Sequence, residues 1–250
     1  MRFSRKTPRR IFFVDEIRGI SILCVVFYHA VYLGINLFSM DFLKPLFNSL
    51  KSLQFLFACI FIAVSGVCTQ FSRSNLTRGL KIFLLSLGIS FATLIFVPKE
   101  RIVFGILHFL ACSLIIYSLL ESFFNRISPI LGALFFLFLF VWASNVPMPM
   151  NFLYLPDFLA KEWFLLIIGA RENSIYSADY FPLYPWITLF LFGVFTGKII
   201  KRALHFSRVS WLLKSNLPVF SMLGRNSLPI YLFHQPILYG VFWIFSYFFK

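Results

Sequence analysis

Acidic side chains are scarce in this sequence. Nine Asp and Glu stand among 250 residues, against 23 Lys and Arg, and charged residues of both signs make up only 13% of the chain. Soluble domains carry about a quarter of their residues as charged side chains, so a soluble globular reading is excluded. Cysteine is also sparse. Cys24, Cys59, Cys68 and Cys112 all fall inside apolar runs, with no CxxC and no Cys/His spacing. That argues against a disulfide framework or a zinc site, and no metal is expected. The chain has no Walker loop, no GxSxG, no HExxH and no dinucleotide fingerprint. It shows no internal repeat and no low-complexity tract.

What remains is overwhelmingly apolar: 60% hydrophobic, 20% aromatic with 36 Phe, and a mean hydropathy of +0.85. This is the composition of a polytopic membrane protein. The expected fold class is all-α, a membrane helix bundle of about seven spans in a single domain, 1–250. Residues 1–14, with five Arg and Lys before Asp15, read as a basic cytoplasmic tail. The spans fall at 16–37, 51–71, 80–97, 102–120, 128–144, 186–200 and 226–249. Residues 145–184 are broken by Pro147, Pro149, Pro156 and Pro182 and carry Asp157, Glu162, Glu172 and Asp179. Inside them, Trp163 to Gly169 is too short to span and could be a short buried or re-entrant helix. Ser65-Gly66 and the Gly193/Gly197 pair are small-residue packing faces.

The formal net charge of +14 lies in the connections between apolar runs, which marks a membrane orientation and not nucleic acid. With the N-terminus inside, sixteen of the 23 Lys and Arg fall on the cytoplasmic side and seven on the other. Anionic lipid headgroups are one partner for that surface; an anionic cytoplasmic ligand is another.

Ionisable residues in a span are costly and mark candidate sites. In the first span, Arg18 and His29 are eleven residues apart, three helical turns plus roughly 20°, so they share a face. Asn36 falls on it too. A rise of 1.5 Å per residue puts His29 about 16 Å beyond Arg18, near mid-membrane. A neutral imidazole there can accept a proton and act as a general base. Two further candidates are His108, in Gly105-Ile106-Leu107-His108, and His234, which shares a face with Ser227. Pro229 and Pro236 predict an irregular final helix whose freed carbonyls need partners. Each histidine has an ordinary alternative as a packed hydrogen-bonding side chain, and Arg18 could simply snorkel to the surface.

Taken together, several stretches resemble the bacterial branch of the heparan-α-glucosaminide N-acetyltransferase catalytic-domain family. They are Asp15-Glu16-Ile17-Arg18-Gly19, His29, Ser65-Gly66, Arg78-Gly79-Leu80-Lys81, Phe104-Gly105-Ile106-Leu107-His108, Asp179-Tyr180-Phe181-Pro182-Leu183-Tyr184-Pro185-Trp186, and Gly224-Arg225-Asn226-Ser227 through His234-Gln235-Pro236. The spacing from Arg18 to His29 is also similar to the arginine, ten residues, histidine pattern of the acyltransferase-three membrane O-acyltransferases. The heparan enzymes place their histidine eleven residues beyond His29, where this chain has Met40, and carry asparagine at the position of His29.

The resemblance implies an integral membrane acyltransferase of the bacterial inner membrane. Its donor would be cytoplasmic acyl-CoA, with acetyl-CoA the expected form, as co-substrate. Its acceptor would be an extracytoplasmic sugar or glycan. On that reading His29, His108 and His234 are the catalytic candidates. Arg18, Arg78, Arg225 and Asn226 face the donor at the inner surface, and Asp179 and Asn36 face the acceptor. A small-molecule carrier and a non-catalytic bundle are the alternatives, and the sequence does not distinguish a monomer from a homo-oligomer.

Overall fold

The computed structural model describes residues 11–145, 163–169, 177–205 and 209–248. Ten α-helices are described, with no strand among the described residues. They are α1 (Phe12–Asn36), α2 (Lys44–Val67), α3 (Asn75–Phe96), α4 (Ile106–Leu119), α5 (Glu121–Phe124), α6 (Pro129–Asn145), α7 (Trp163–Ile168), α8 (Leu183–His205), α9 (Pro218–Arg225) and α10 (Ser227–Phe248). Five helical stretches are long and apolar enough to cross a membrane: Phe12–Asn36, Leu53–Phe71, Asn75–Phe96, Leu183–Leu204 and Ser227–Phe248. Two shorter apolar helices, Ile106–Leu119 and Pro129–Ser144, coincide with the fourth and fifth expected spans. The fold class is therefore the all-α membrane fold expected. The basic residues before Ile11, together with Asp157, Glu162 and Glu172, lie outside the described residues.

Two boundaries differ from expectation. The loop expected to run to residue 50 ends at Lys44, because Pro45 sits in the first turn of α2, where a missing N–H is not needed. The fourth helix starts at Ile106 and not near 102. Residues before it form a 3₁₀ turn at Pro98–Glu100 followed by non-helical chain. Ala178 N–H donates to the Arg101 carbonyl at 3.1 Å, and Phe181 N–H to the Phe104 carbonyl at 3.0 Å. Irregular backbone in an apolar setting is stable only when such partners satisfy it.

Contacts divide the chain into two compact units, Met1–Val64 with Ala203–Lys250, and Ser65–Arg202. In the first, α9 runs antiparallel along the opening turns of α1. The two backbones touch at a reciprocal pair of glycines. A Cβ on Gly19 would lie 1.9 Å from the Phe220 carbonyl oxygen, and one on Gly224 would lie 1.8 Å from that of Asp15. Between helices in lipid there is no strong hydrophobic driving force, so close backbone approach at small residues carries much of the association. Further along α1, Tyr28 and Val31 pack with Leu50 of α2, flanked by Tyr32, Ile35, Leu43 and Phe47.

α10 lies beside α1 and parallel to it, as the order of contacts shows. Arg18 meets Ser227, His29 meets His234, and Phe38 meets Tyr239 and Phe242. Two parallel spanning helices begin at the same membrane face, so the chain between them crosses an odd number of times and the total is odd. Seven spans satisfy that count.

The second unit is built around α4, which is buried nearly all round: Ile106 to Ala111, Ser113, Leu114 and Tyr117 are all inside. A helix apolar on every side belongs in a protein interior. Phe190, Val194 and Phe195 of α8 are fully covered. The Phe195 ring stacks on Phe136 at 5.5 Å and meets Phe124 edge-on at 6.2 Å. Ser65-Gly66 permits the close approach expected of it: a Cβ on Gly66 would fall 2.1 Å from the Phe190 carbonyl oxygen. Gly197 packs in the same way on Val67 and Gln70. Lys198 Nζ donates to the Phe124 carbonyl at 2.7 Å, which ties α8 to α5, and it lies 4.6 Å from the ring centre of Phe195 on its own helix.

Gly19→Ala and Gly224→Ala should each force α1 and α9 apart and lower stability by about 1–3 kcal/mol. Gly240 meets nothing within 4 Å, and Gly240→Ala should be neutral or stabilising by about 0.5–1 kcal/mol. Thermal unfolding of the three variants in one detergent checks the contrast. Reporters fused to the two termini should appear on opposite sides of the membrane, and same-side signals would exclude the odd span count.

Candidate functional site

The candidate residues divide between the two units. Arg18, His29, Asn36, Arg225, Asn226 and His234 belong to the first, and Arg78, His108 and Asp179 to the second.

The first unit begins with Asp15-Glu16-Ile17-Arg18-Gly19. Gly19 sets the crossing described above. Glu16, only 3% exposed, turns its carboxylate to the chain just ahead of α9. Its Oε1 accepts from the Asn216 N–H at 2.8 Å, the Leu217 N–H at 2.8 Å and the Ser215 hydroxyl at 3.1 Å. An anion at the opening of a helix satisfies otherwise orphaned donors and complements the helix dipole. Glu16 is thus a tie between distant segments, and not the partner of Arg18 that its place in the sequence suggests. Arg18 donates from Nη2 to the Ser227 hydroxyl, and its Nη1 lies 4.0 Å from Asp15. Its Nε is buried without a partner among the described residues. Arg225 and Asn226 are exposed at the junction of α9 and α10. Arg225 Nε donates to the Ser221 carbonyl at 3.3 Å, and the Asn226 amide donates to the Met222 carbonyl at 3.0 Å.

His29 and His234 face each other across α1 and α10, with ring centres 5.1 Å apart and planes inclined by 54°. Tyr28 stands edge-on to His29 at 5.7 Å, and Tyr231 lies 5.3 Å from His234. His234 is 6% exposed and its Nδ1 lies 2.6 Å from the Tyr231 carbonyl oxygen. Its Nε2 is buried without a partner among the described residues. Asn36, at the far end of α1, is exposed and donates to the Tyr32 carbonyl one turn back, at 3.0 Å.

The second unit uses its polar groups differently. Asp179 Oδ2 accepts from the Ile106 N–H at 3.0 Å, capping α4 from 73 residues away, and a Cβ on Gly105 would meet that same oxygen at 2.5 Å. His108 is 4% exposed, and its Nε2 lies 3.2 Å from Ser90 Oγ. The Ser90 hydroxyl spends its one proton on the Ile102 carbonyl at 2.7 Å, so His108 is the donor in that contact. Arg78 is half-buried on the first turn of α3. Among the described residues no group of three or more His, Cys, Asp or Glu is placed to hold a metal ion.

Sequence reasoning singled out the three histidines and Arg18 as candidates. It missed Glu16 as a cap, Ser90 as the partner of His108, and the facing of His29 on His234. Only the short spacing from Ser227 to His234, matched against that from Arg18 to His29, hinted at the last. Removing the Glu16 carboxylate should leave two backbone N–H groups and a hydroxyl unmet. Glu16→Ala is therefore expected to cost about 1–3 kcal/mol, and Glu16→Gln less, since it keeps an acceptor oxygen. Chemical unfolding of both variants checks the order.

No curated protein and no solved structure matches the chain. A family model does, described as heparan-alpha-glucosaminide N-acetyltransferase, catalytic, and it matches residues 10–236. That match runs across both units and nearly the whole sequence, so the chain belongs to this family of membrane acetyltransferases.

Proposed function

We propose that the protein takes an acetyl group from acetyl-CoA at the cytoplasmic face of the bacterial inner membrane and passes it to a hydroxyl or amine of an extracytoplasmic sugar or glycan. The N-terminus lies in the cytoplasm on this reading, and His29 is the general base. The observation that carries the reading is the placement of His29 on one continuous helix with Arg18. Eleven residues separate them, about 16 Å along the axis, comparable to the reach of an extended pantetheine arm.

Arg18, Arg225 and Asn226 gather at the start of α1 and the junction of α9 and α10. Guanidinium groups suit phosphate oxygens, so the nucleotide end of the donor would rest there. Arg78, on the first turn of α3, is a further candidate for the donor's phosphates. With the thioester near His29, the acceptor heteroatom attacks the acyl carbon while His29 takes its proton. The C–S bond breaks, and the thiolate leaves and is protonated by the imidazolium. Tyr28 and Tyr231 border the two imidazoles. Asn36 stands on the outer continuation of the same helix, where an acceptor would approach. Asp179 and His108 serve this reading by holding the start of α4 in place.

Two experiments on purified protein test it. Acetyl-CoA should bind, and Arg225→Gln should weaken binding in a salt-dependent manner, since Arg225 is exposed. His29→Ala should keep donor binding and lower transfer by about 10²–10⁴-fold, the usual worth of a general base. Near-normal transfer by a folded His29→Ala protein would remove His29 from the chemistry. Failure of the wild type to bind acetyl-CoA would remove the donor.

A further inference from the structure

We propose that His234 is a positioning residue for His29, fixing by a hydrogen bond which nitrogen of the His29 ring is free to take a proton. The inference rests on the reading of His29 as the base.

The argument starts at the Tyr231 carbonyl. A carbonyl oxygen only accepts, so the His234 nitrogen 2.6 Å from it, Nδ1, carries a proton. In the neutral ring the other nitrogen, Nε2, is then a bare acceptor. That atom is buried and has no partner among the described residues, on a side chain almost wholly enclosed. Buried acceptors are rarely left unmet. The His29 ring lies against His234 with centres 5.1 Å apart. Rotation of the His29 ring about χ2, a broad and soft torsion, turns one of its nitrogens toward Nε2.

That nitrogen must bear the proton. If His29 instead offered a lone pair, two acceptors would face each other in an apolar setting. With one His29 nitrogen donating to His234, the other is the unprotonated one, directed away from His234 and open to the acceptor substrate. During transfer the acceptor's proton moves to this free nitrogen as the acyl bond forms. The hydrogen bond to Nε2 becomes charge-assisted and steadies the imidazolium. When the C–S bond breaks, the proton passes to the departing thiolate and His29 returns to its starting tautomer. This is the logic of a base oriented by a third group.

The backbone supports the arrangement. Pro236, two residues beyond His234, has no N–H to give to the Leu232 carbonyl, so the ladder of α10 is interrupted where the ring is held.

The test reads ring nitrogens directly. Protein carrying ¹⁵N-labelled histidine in detergent micelles should show His234 as the Nδ1–H tautomer and His29 as one dominant neutral tautomer. A mixture of tautomers at His29 in the wild type would overturn the proposal without any variant. His234→Phe keeps a ring but offers no acceptor; it should release His29 into a tautomer mixture and lower transfer roughly tenfold or more, with the donor KM unchanged. His234→Gln sets an amide oxygen near the place of Nε2 and should restore the single tautomer and part of the rate. An unchanged His29 spectrum in His234→Phe overturns the proposal. The spectrum is taken without donor or acceptor, so it tests the hydrogen bond alone, and transfer by His29→Ala tests the base separately.

Discussion

The touching of α1 and α9 backbones at Gly19 and Gly224 is the constraint on which the first unit depends. Neither position tolerates so much as a methyl group without parting the helices. The contact is reciprocal: each glycine meets a carbonyl of the other helix. In a bilayer, where apolar side chains gain little by leaving lipid for protein, such contact is among the few sources of helix association. Glu16 adds the second source. Its carboxylate accepts three hydrogen bonds from residues 215–217, and in an enclosed place charge-assisted bonds of this kind are about twice as strong as neutral ones.

From that junction the rest of the unit follows. Because α9 runs back along α1 and ends at Arg225, the chain can turn at Asn226 and leave along α1 in the parallel sense. The Arg18 guanidinium then closes on Ser227 at the first residue of α10. His234 comes up beside His29 seven residues later, and Phe38 reaches Tyr239 and Phe242 beyond it. The histidine pair is thus a product of two helices registered at one end by glycines and a carboxylate. A change at Gly224, far along the helices from either ring, would shift both imidazoles against each other.

Much of this architecture is legible in the sequence, because lipid-spanning helices advertise themselves by length and composition. Every expected span coincides with a helix, and both small-residue faces, Ser65-Gly66 and Gly193/Gly197, meet a neighbouring backbone as read. What stayed hidden depends on partners far away in the chain. The start of α4 is set by Asp179, 73 residues downstream. Glu16 reads as a neighbour of Arg18, yet it serves residues some 200 positions away. The facing of His29 on His234 needs the register of α1 against α10, and that register comes from the glycine junction, which no helical periodicity can supply.

The three histidines show why depth in the membrane is a poor guide to function by itself. All three of His29, His108 and His234 lie on apolar helices. Their hydrogen bonds separate them. His108 Nε2 is committed as donor to a serine whose own proton is committed to Ile102, so its place is explained by the fold of residues 101–106. His234 is different: one nitrogen is tied to its own helix, and the other is enclosed beside a second imidazole and meets no donor among the described residues. An unmet acceptor in an apolar interior costs free energy that packing alone gives no reason to retain. Under the proposal above a His29 N–H meets it, which ties the orientation of one imidazole to the other.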